Sequence, residues 1–174
     1  MTVTGHRSTE PIHLVEYDPD WPRQFELLRS RLAAALGDLA LAIEHVGSTA
    51  VPGLAAKPIL DADVVVLTQA DLQAAVERLE GIGYRHQGDL GIPGREAFDW
   101  PPTDARHHVY VLVAGADELR RHLGFRDRLR ADPAAARAYG DLKRELAERH
   151  GNDRVAYGDA KSAFVERILA DAAA

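Results

Sequence analysis

No cysteine occurs anywhere in the 174 residues. That absence excludes disulfides, thiolate metal ligands and a cysteine nucleophile, and it suits a reducing compartment. A basic excess is missing too: 21 Lys and Arg stand against 27 Asp and Glu, for a formal net charge of -6. Proteins that grip long nucleic acid without sequence preference gain affinity from every phosphate they neutralise, so this balance argues against a duplex-binding module. A small phosphorylated ligand needs only a few local cations and stays open. No apolar run approaches the length of a membrane span, and "MTVTGHRSTEPIHLVEYDPDWP" at the start holds none long enough for a secretory signal. The expectation is a cytoplasmic protein that does not engage a membrane. Internal repeats are also lacking, and low complexity is confined to the alanine-rich tail.

What is present suits one domain with a small helical appendage; a globule of this length buries roughly 70% of the surface of its unfolded chain. Residues 1–12 are polar, lack periodicity and are expected to be flexible. In "EYDPDWPRQFELLRSRLAAALG", Phe25, Leu28, Leu32 and Leu36 recur at helical spacing, Asp18 or Asp20 can cap the start, and Gly37 stops the run. "LALAIEHV" (39–46) predicts a short strand, and "PILDADVVVLT" is the strongest strand signal in the chain. Thr68 and Asp71 form a capping-box pair at the head of a helix over 69–80. Glycines and prolines break 84–115 into two or three strands, of which "RHHVYVLV" (106–113) is the clearest. From Asp117 the pattern is helical, with Asp132-Pro133 as a cap and first-turn proline, a break at Gly151-Asn152, and a closing helix from Tyr157. The order predicts an α+β fold: a mixed sheet with helices on one face over 13–115, and a helical C-terminal portion over 116–174 packed against it.

The chemistry concentrates in "EHVGSTAVPGLAAKPILDADVVV" (44–66). Side chains alternate along a strand, so Asp61 and Asp63 share one face while Leu60, Ala62 and Val64 enter the opposite layer. Two carboxylates on one face repel unless a cation intervenes, and Mg²⁺ favours one or two carboxylates plus substrate phosphates. Solvated acids on an exposed sheet face would give the same pattern. Gly47 lets backbone approach a ligand closely, Ser48 and Thr49 can donate to phosphate oxygens, and Lys57 adds a positive charge. An ordinary turn at a strand end uses the same residue types. Neither a P-loop nor a dinucleotide fingerprint matches: five residues separate Gly47 from Gly53, Leu54 stands where the lysine belongs, and Gly-x-Gly-x-x-Gly is absent.

His107 and His108 are adjacent on a strand and must face opposite ways, so one can approach the carboxylates; which one is left open by spacing alone. Arg126 and Arg130 lie four apart on one helix face, a pattern also typical of a solvated helix. Trp21 and Trp100 adjoin prolines and suit packing. Phe25, Leu28, Leu32, Leu142, Leu146, Phe164 and Ile168 are assigned to packing.

"HVGSTAVPGLAAKPILDADVVV" resembles the signature of the GrpB family (UPF0157), whose members are similar to the polymerase β-like nucleotidyltransferases. The likeness extends through "VEYDPDWPRQFELLRSRL", "GIPGREAF", "RHHVYV", "FRDRLRADPAAARAYGDLKRELA" and "YGDAKSAFV", from about residue 13 to 168. It implies that Gly47 and Ser48 hold nucleotide phosphates, that Asp61 and Asp63 hold Mg²⁺ or Mn²⁺ and act in catalysis, and that Arg95, His108, Arg126, Lys143 and Lys161 face an anionic ligand. Such folds commonly take a third acid from a later strand; "RHHVYVLV" has none, leaving Glu96, Asp99 and Asp104 in the preceding hairpin. Two expectations follow. One is a protein that binds a nucleoside triphosphate with Mg²⁺ and transfers a nucleotidyl group to an unidentified acceptor. The other is a non-catalytic module that binds a nucleotide or CoA-like ligand, or assists a protein partner, by analogy with GrpB-like domains fused to dephospho-CoA kinase.

Overall fold

The computed structural model describes residues 11–101, 106–151 and 153–172. Helix α1 (Trp21–Leu36) is followed by strand β1 (Ala42–Val46), β2 (Leu60–Val66), helix α2 (Gln69–Glu80), strands β3 (Arg85–Gly88), β4 (Arg95–Asp99) and β5 (His107–Val113), and helices α3 (Asp117–Ala131), α4 (Pro133–His150) and α5 (Arg154–Ala172). The five strands form one sheet in the order β1-β2-β5-β4-β3. The central β2 and β5 run parallel, while β1 with β2, β4 with β5 and β3 with β4 are antiparallel. The chain therefore has the mixed α+β architecture that its pattern predicts.

Local signals explain most boundaries. Thr68 Oγ1 accepts from the Asp71 amide while the Asp71 carboxylate accepts from the Thr68 amide, closing the capping box at the start of α2. Asp132 accepts from the amides of Ala134 and Ala135 ahead of Pro133, which separates α3 from α4. At α1 the carboxylate of Asp20 makes no cap bond and instead binds Arg23 and Gln24, and Gly37 ends the helix at φ 55°. The first strand is shorter than its apolar run, because Gly37–Leu39 forms a 3₁₀ turn first. The last helix starts at Arg154, three residues before the expected Tyr157.

The two faces of the sheet have different tasks. Behind it, α1 and α2 pack Phe25, Leu28, Leu32, Leu36, Leu72 and Leu79 against Ala62, Val64, Phe98, Val109 and Val111. Each large side chain buried there contributes about 1.5–3 kcal/mol relative to exposure. In front, Leu119 of α3 packs on Val65 and Leu112. A second apolar cluster ties Val51 and Leu54 to Leu129, Tyr139, Phe164 and Ile168, which fixes the three C-terminal helices over the turn that follows β1. The front face near Asp61 is left without an apolar lid, and a polar cavity forms there.

Candidate functional site

Register puts the turn beside the carboxylates. Val46, the last residue of β1, pairs with Asp61 of β2, so the chain leaving β1 at Gly47 passes directly over that side chain. A Cβ at position 47 would lie 2.3 Å from Asp61 Oδ2, and Gly47 has φ 72° and ψ -172°. Only glycine tolerates both conditions. Ser48–Ala50 then forms a short 3₁₀ turn, with Thr49 buried and bonded to His45 Nε2 at 2.9 Å. His45 stacks on Phe25 with centroids 4.3 Å apart, and burial pushes its pKa down to about 4, so it is neutral. It packs the turn from behind through the Thr49 side chain.

Asp61 and Asp63 share the front face as their spacing requires, and each is held by a histidine. In the parallel register Asp61 faces His108, whose Nδ1 lies 2.8 Å from Asp61 Oδ1. His108 is thus the member of the pair that reaches the carboxylates; His107 points behind the sheet and bonds the Tyr84 hydroxyl at 2.7 Å. Asp63 is fully buried, with Oδ2 2.7 Å from His122 Nδ1 of α3 and Oδ1 without a hydrogen-bond partner among the described residues. Burial raises its pKa, opposed by His122. Burial alone would lower the pKa of His122. The bond to Asp63 and the charges of Asp63, Glu118 and Asp61 outweigh that and hold it above its ordinary value. His122 Nε2 is 3.1 Å from Glu118 Oε1, one turn earlier on α3.

A cavity of about 350 Å³ opens in front of Asp61; Gly47, Ser48, Thr49, Lys57, His108, Lys143 and Lys161 are among its lining residues. Asp61 and Glu118 share this lining with the three lysines. Lys143 is 2% exposed, its Nζ 2.9 Å from Ser48 Oγ and also bonded to the Ala55 carbonyl. Burial, followed by the charges of Lys161, Arg144 and Lys57, brings its pKa down to about 7. Lys161 is brought down to about 8 by burial and Lys57, against the pull of Asp61. The Lys161 and Lys57 ammonium groups lie 4.3 and 5.9 Å from the centre of the Tyr157 ring.

Eight of the residues singled out by sequence therefore meet at one cavity, with Asp63 directly behind it. Two stand apart. Arg126 binds Glu44 at 2.7 Å, the His45 carbonyl at 3.1 Å and Asp127 at 2.7 Å, which docks α3 on β1. Arg95 lies over the Tyr110 ring at 4.8 Å and 3.9 Å from Glu118. Of the candidate third acids, Glu96 bonds His86 at 2.6 Å and Asp99 binds Arg85, neither lining the cavity, while Asp104 lies outside the described residues. The acid that does reach the cavity is Glu118, from a helix. Glu118, Arg121, His122, Tyr139 and Tyr157 were not expected there; the four-residue spacing of Glu118 and His122 on one helix face was the available signal. No cluster of three or more His, Asp or Glu arranged to hold an ion is found among the described residues.

A Gly-Ser turn over paired acids on a mixed sheet defines a nucleotidyltransferase-like fold. Solved structures of the Cid1 poly(U) polymerase share it: that with MgGTP bound superposes at TM-score 0.55 with 15% identity, over 77% of this chain and 44% of that one. The chain belongs to the GrpB family, whose model, described as GrpB protein, matches residues 11–171. The crystal structure of GrpB from Enterococcus faecalis superposes at TM-score 0.82 with 39% identity, covering 92% of this chain and 96% of that one. A UPF0157 protein from Halalkalibacterium halodurans is 42% identical over 91% of this chain and 80% of its own length. A dephospho-CoA kinase from Mycolicibacterium paratuberculosis is 34% identical over 84% of this chain, and the match spans 42% of the kinase.

Proposed function

We propose that this cavity binds a nucleoside triphosphate together with Mg²⁺ or Mn²⁺, and that the protein transfers a nucleotidyl group to an acceptor. The observation that carries the reading is that one cavity brings together Asp61, the Gly47-Ser48 turn and the lysines Lys57, Lys143 and Lys161. A polyanion that also carries a cation matches that combination of charges. Ser48, Lys57 and Lys161 would hold the phosphates, and Asp61 with Asp63 would hold the metal. The donor set fits such an ion. Two hard carboxylates suffice when substrate phosphates supply the remaining ligands, and the bare Oδ1 of buried Asp63 is an acceptor in want of a positive partner. When bound, the ion would offset the charge that builds up on the transferred phosphate. His122, bonded to both Asp63 and Glu118, orients the buried carboxylate from α3.

A specific observation favours the second reading, a non-catalytic nucleotide- or CoA-binding accessory module. Beside Asp61, on the strand where related folds commonly carry a third acid, stands His108. The similarity to a protein named dephospho-CoA kinase adds weight to a CoA-like ligand. Calorimetric titration with the four nucleoside triphosphates and with CoA, each with and without Mg²⁺, separates the readings when repeated on the Asp61→Asn, Asp63→Asn double variant. Metal-dependent triphosphate binding that disappears in the variant is expected. Metal-independent binding that survives in the variant, or binding of CoA alone, supports the accessory module and contradicts the transferase.

A further inference from the structure

Ser48 sits against a buried lysine that comes from a distant part of the chain. Lys143 Nζ is 2.9 Å from Ser48 Oγ. Lys143 and Tyr139 come from successive turns of α4, with the ammonium group 4.8 Å from the centre of the tyrosine ring. All three residues line the cavity. A serine hydroxyl touching a buried lysine is an activated nucleophile in several unrelated enzymes, because a neutral amine can take the hydroxyl proton.

We propose that Ser48 is the first acceptor of the nucleotidyl group, with Lys143 as its general base. The inference rests on the triphosphate reading above and extends it by naming the acceptor. The Ser48 Oγ–Pα bond forms, the bond from Pα to the oxygen bridging the β-phosphorus breaks, and pyrophosphate leaves with that electron pair. The hydroxyl proton passes to Lys143 Nζ. Nucleotidyl-Ser48 then delivers the group to water or to an external hydroxyl or amine.

Three features support this assignment. Lys143 is among the most buried charged residues of the described chain, so its neutral form is favoured, and the neighbouring Lys161 and Lys57 favour it further. A neutral lysine has two N–H donors and one lone pair; donating to the Ala55 carbonyl still leaves the lone pair for the serine hydroxyl. The position beside Asp61 on β5 holds His108 and no carboxylate, so activation of an acceptor from the sheet, usual for related folds, is replaced by activation from α4.

The full chain is incubated with each α-labelled nucleoside triphosphate and Mg²⁺, its intact mass is recorded, and the labelled peptide is sequenced, with triphosphate binding measured in parallel by calorimetry. Expected is one nucleotidyl group per chain on Ser48, absent in Ser48→Ala, and forming about a hundredfold more slowly in Lys143→Arg, which keeps the charge and loses the base. Triphosphate binding without a Ser48 adduct in the unaltered protein overturns the inference and leaves the binding reading intact. No triphosphate binding overturns both. An adduct that forms at full rate in Lys143→Arg, or in Lys143→Gln should the arginine variant not fold, removes Lys143 from the chemistry.

Discussion

At the scale of single residues, the account turns on two kinds of constraint, a glycine that nothing else can replace and lysines held partly discharged. Gly47 combines a backbone conformation closed to other residues with a Cβ position 2.3 Å from Asp61 Oδ2, whereas a Cβ at Gly53, at φ 79°, would meet nothing within 4 Å. Gly47→Ala is predicted to destabilise the protein by at least about 2 kcal/mol, and Gly53→Ala by roughly 1 kcal/mol from backbone strain alone. Urea denaturation of the two variants checks the difference, and equal midpoints would contradict the close approach. The lysines give a pH signature. Lys143 and Lys161 have pKa values brought down to about 7 and about 8, and an anion bound at Lys161 favours its charged form. Affinity for sulfate, which does not titrate in this range, is therefore full well below pH 8 and falls as pH rises through about 8, by up to about tenfold per pH unit. In the empty protein the sign is reversed. The unfolded chain, with lysine near 10.5, binds more protons than the folded one, so these groups add stability as pH rises from about 7 towards 10.5. Calorimetry of sulfate binding between pH 6 and 9 reads the first effect directly, and a flat profile would contradict it.

At the scale of elements, legibility followed periodicity and caps. The alternation in Leu60–Val66 placed both aspartates on one face, and the Thr68–Asp71 and Asp132–Pro133 signals placed two helix starts, because those cues act within a few residues. The choice between His107 and His108 could not be read that way. It depends on which face of β5 meets α1 and α2, and that is decided by packing between distant segments. The same reason hid Glu118 and His122: α3 reaches Asp63 only because Leu119 docks on Val65 and Leu112, a contact that local pattern does not announce. Arg126 illustrates the converse. The family resemblance implied an anion site there, yet Glu44 and the His45 carbonyl were the nearer partners once α3 lay across β1.

At the scale of the whole molecule, the cavity exists because two unlike parts meet. The sheet supplies Asp61, His108 and the Gly-Ser turn, the C-terminal helices supply Lys143, Lys161 and Tyr157, and the cluster joining Val51 and Leu54 to Leu129, Phe164 and Ile168 holds them together. Each part brings both signs of charge to the cavity, Asp61 and Lys57 from the first and Glu118, Lys143 and Lys161 from the second, so the ligand is assigned to the seam between them. The most direct test is a crystal structure of the protein soaked with Mg²⁺ and a triphosphate analogue whose α,β-bridging oxygen is a methylene. The account predicts phosphates against Ser48, Lys57 and Lys161 with the cation on Asp61 and Asp63. Density in the separate cavity beside Trp21 and Arg31 behind the sheet, or a metal-free ligand at the lysines alone, would contradict it.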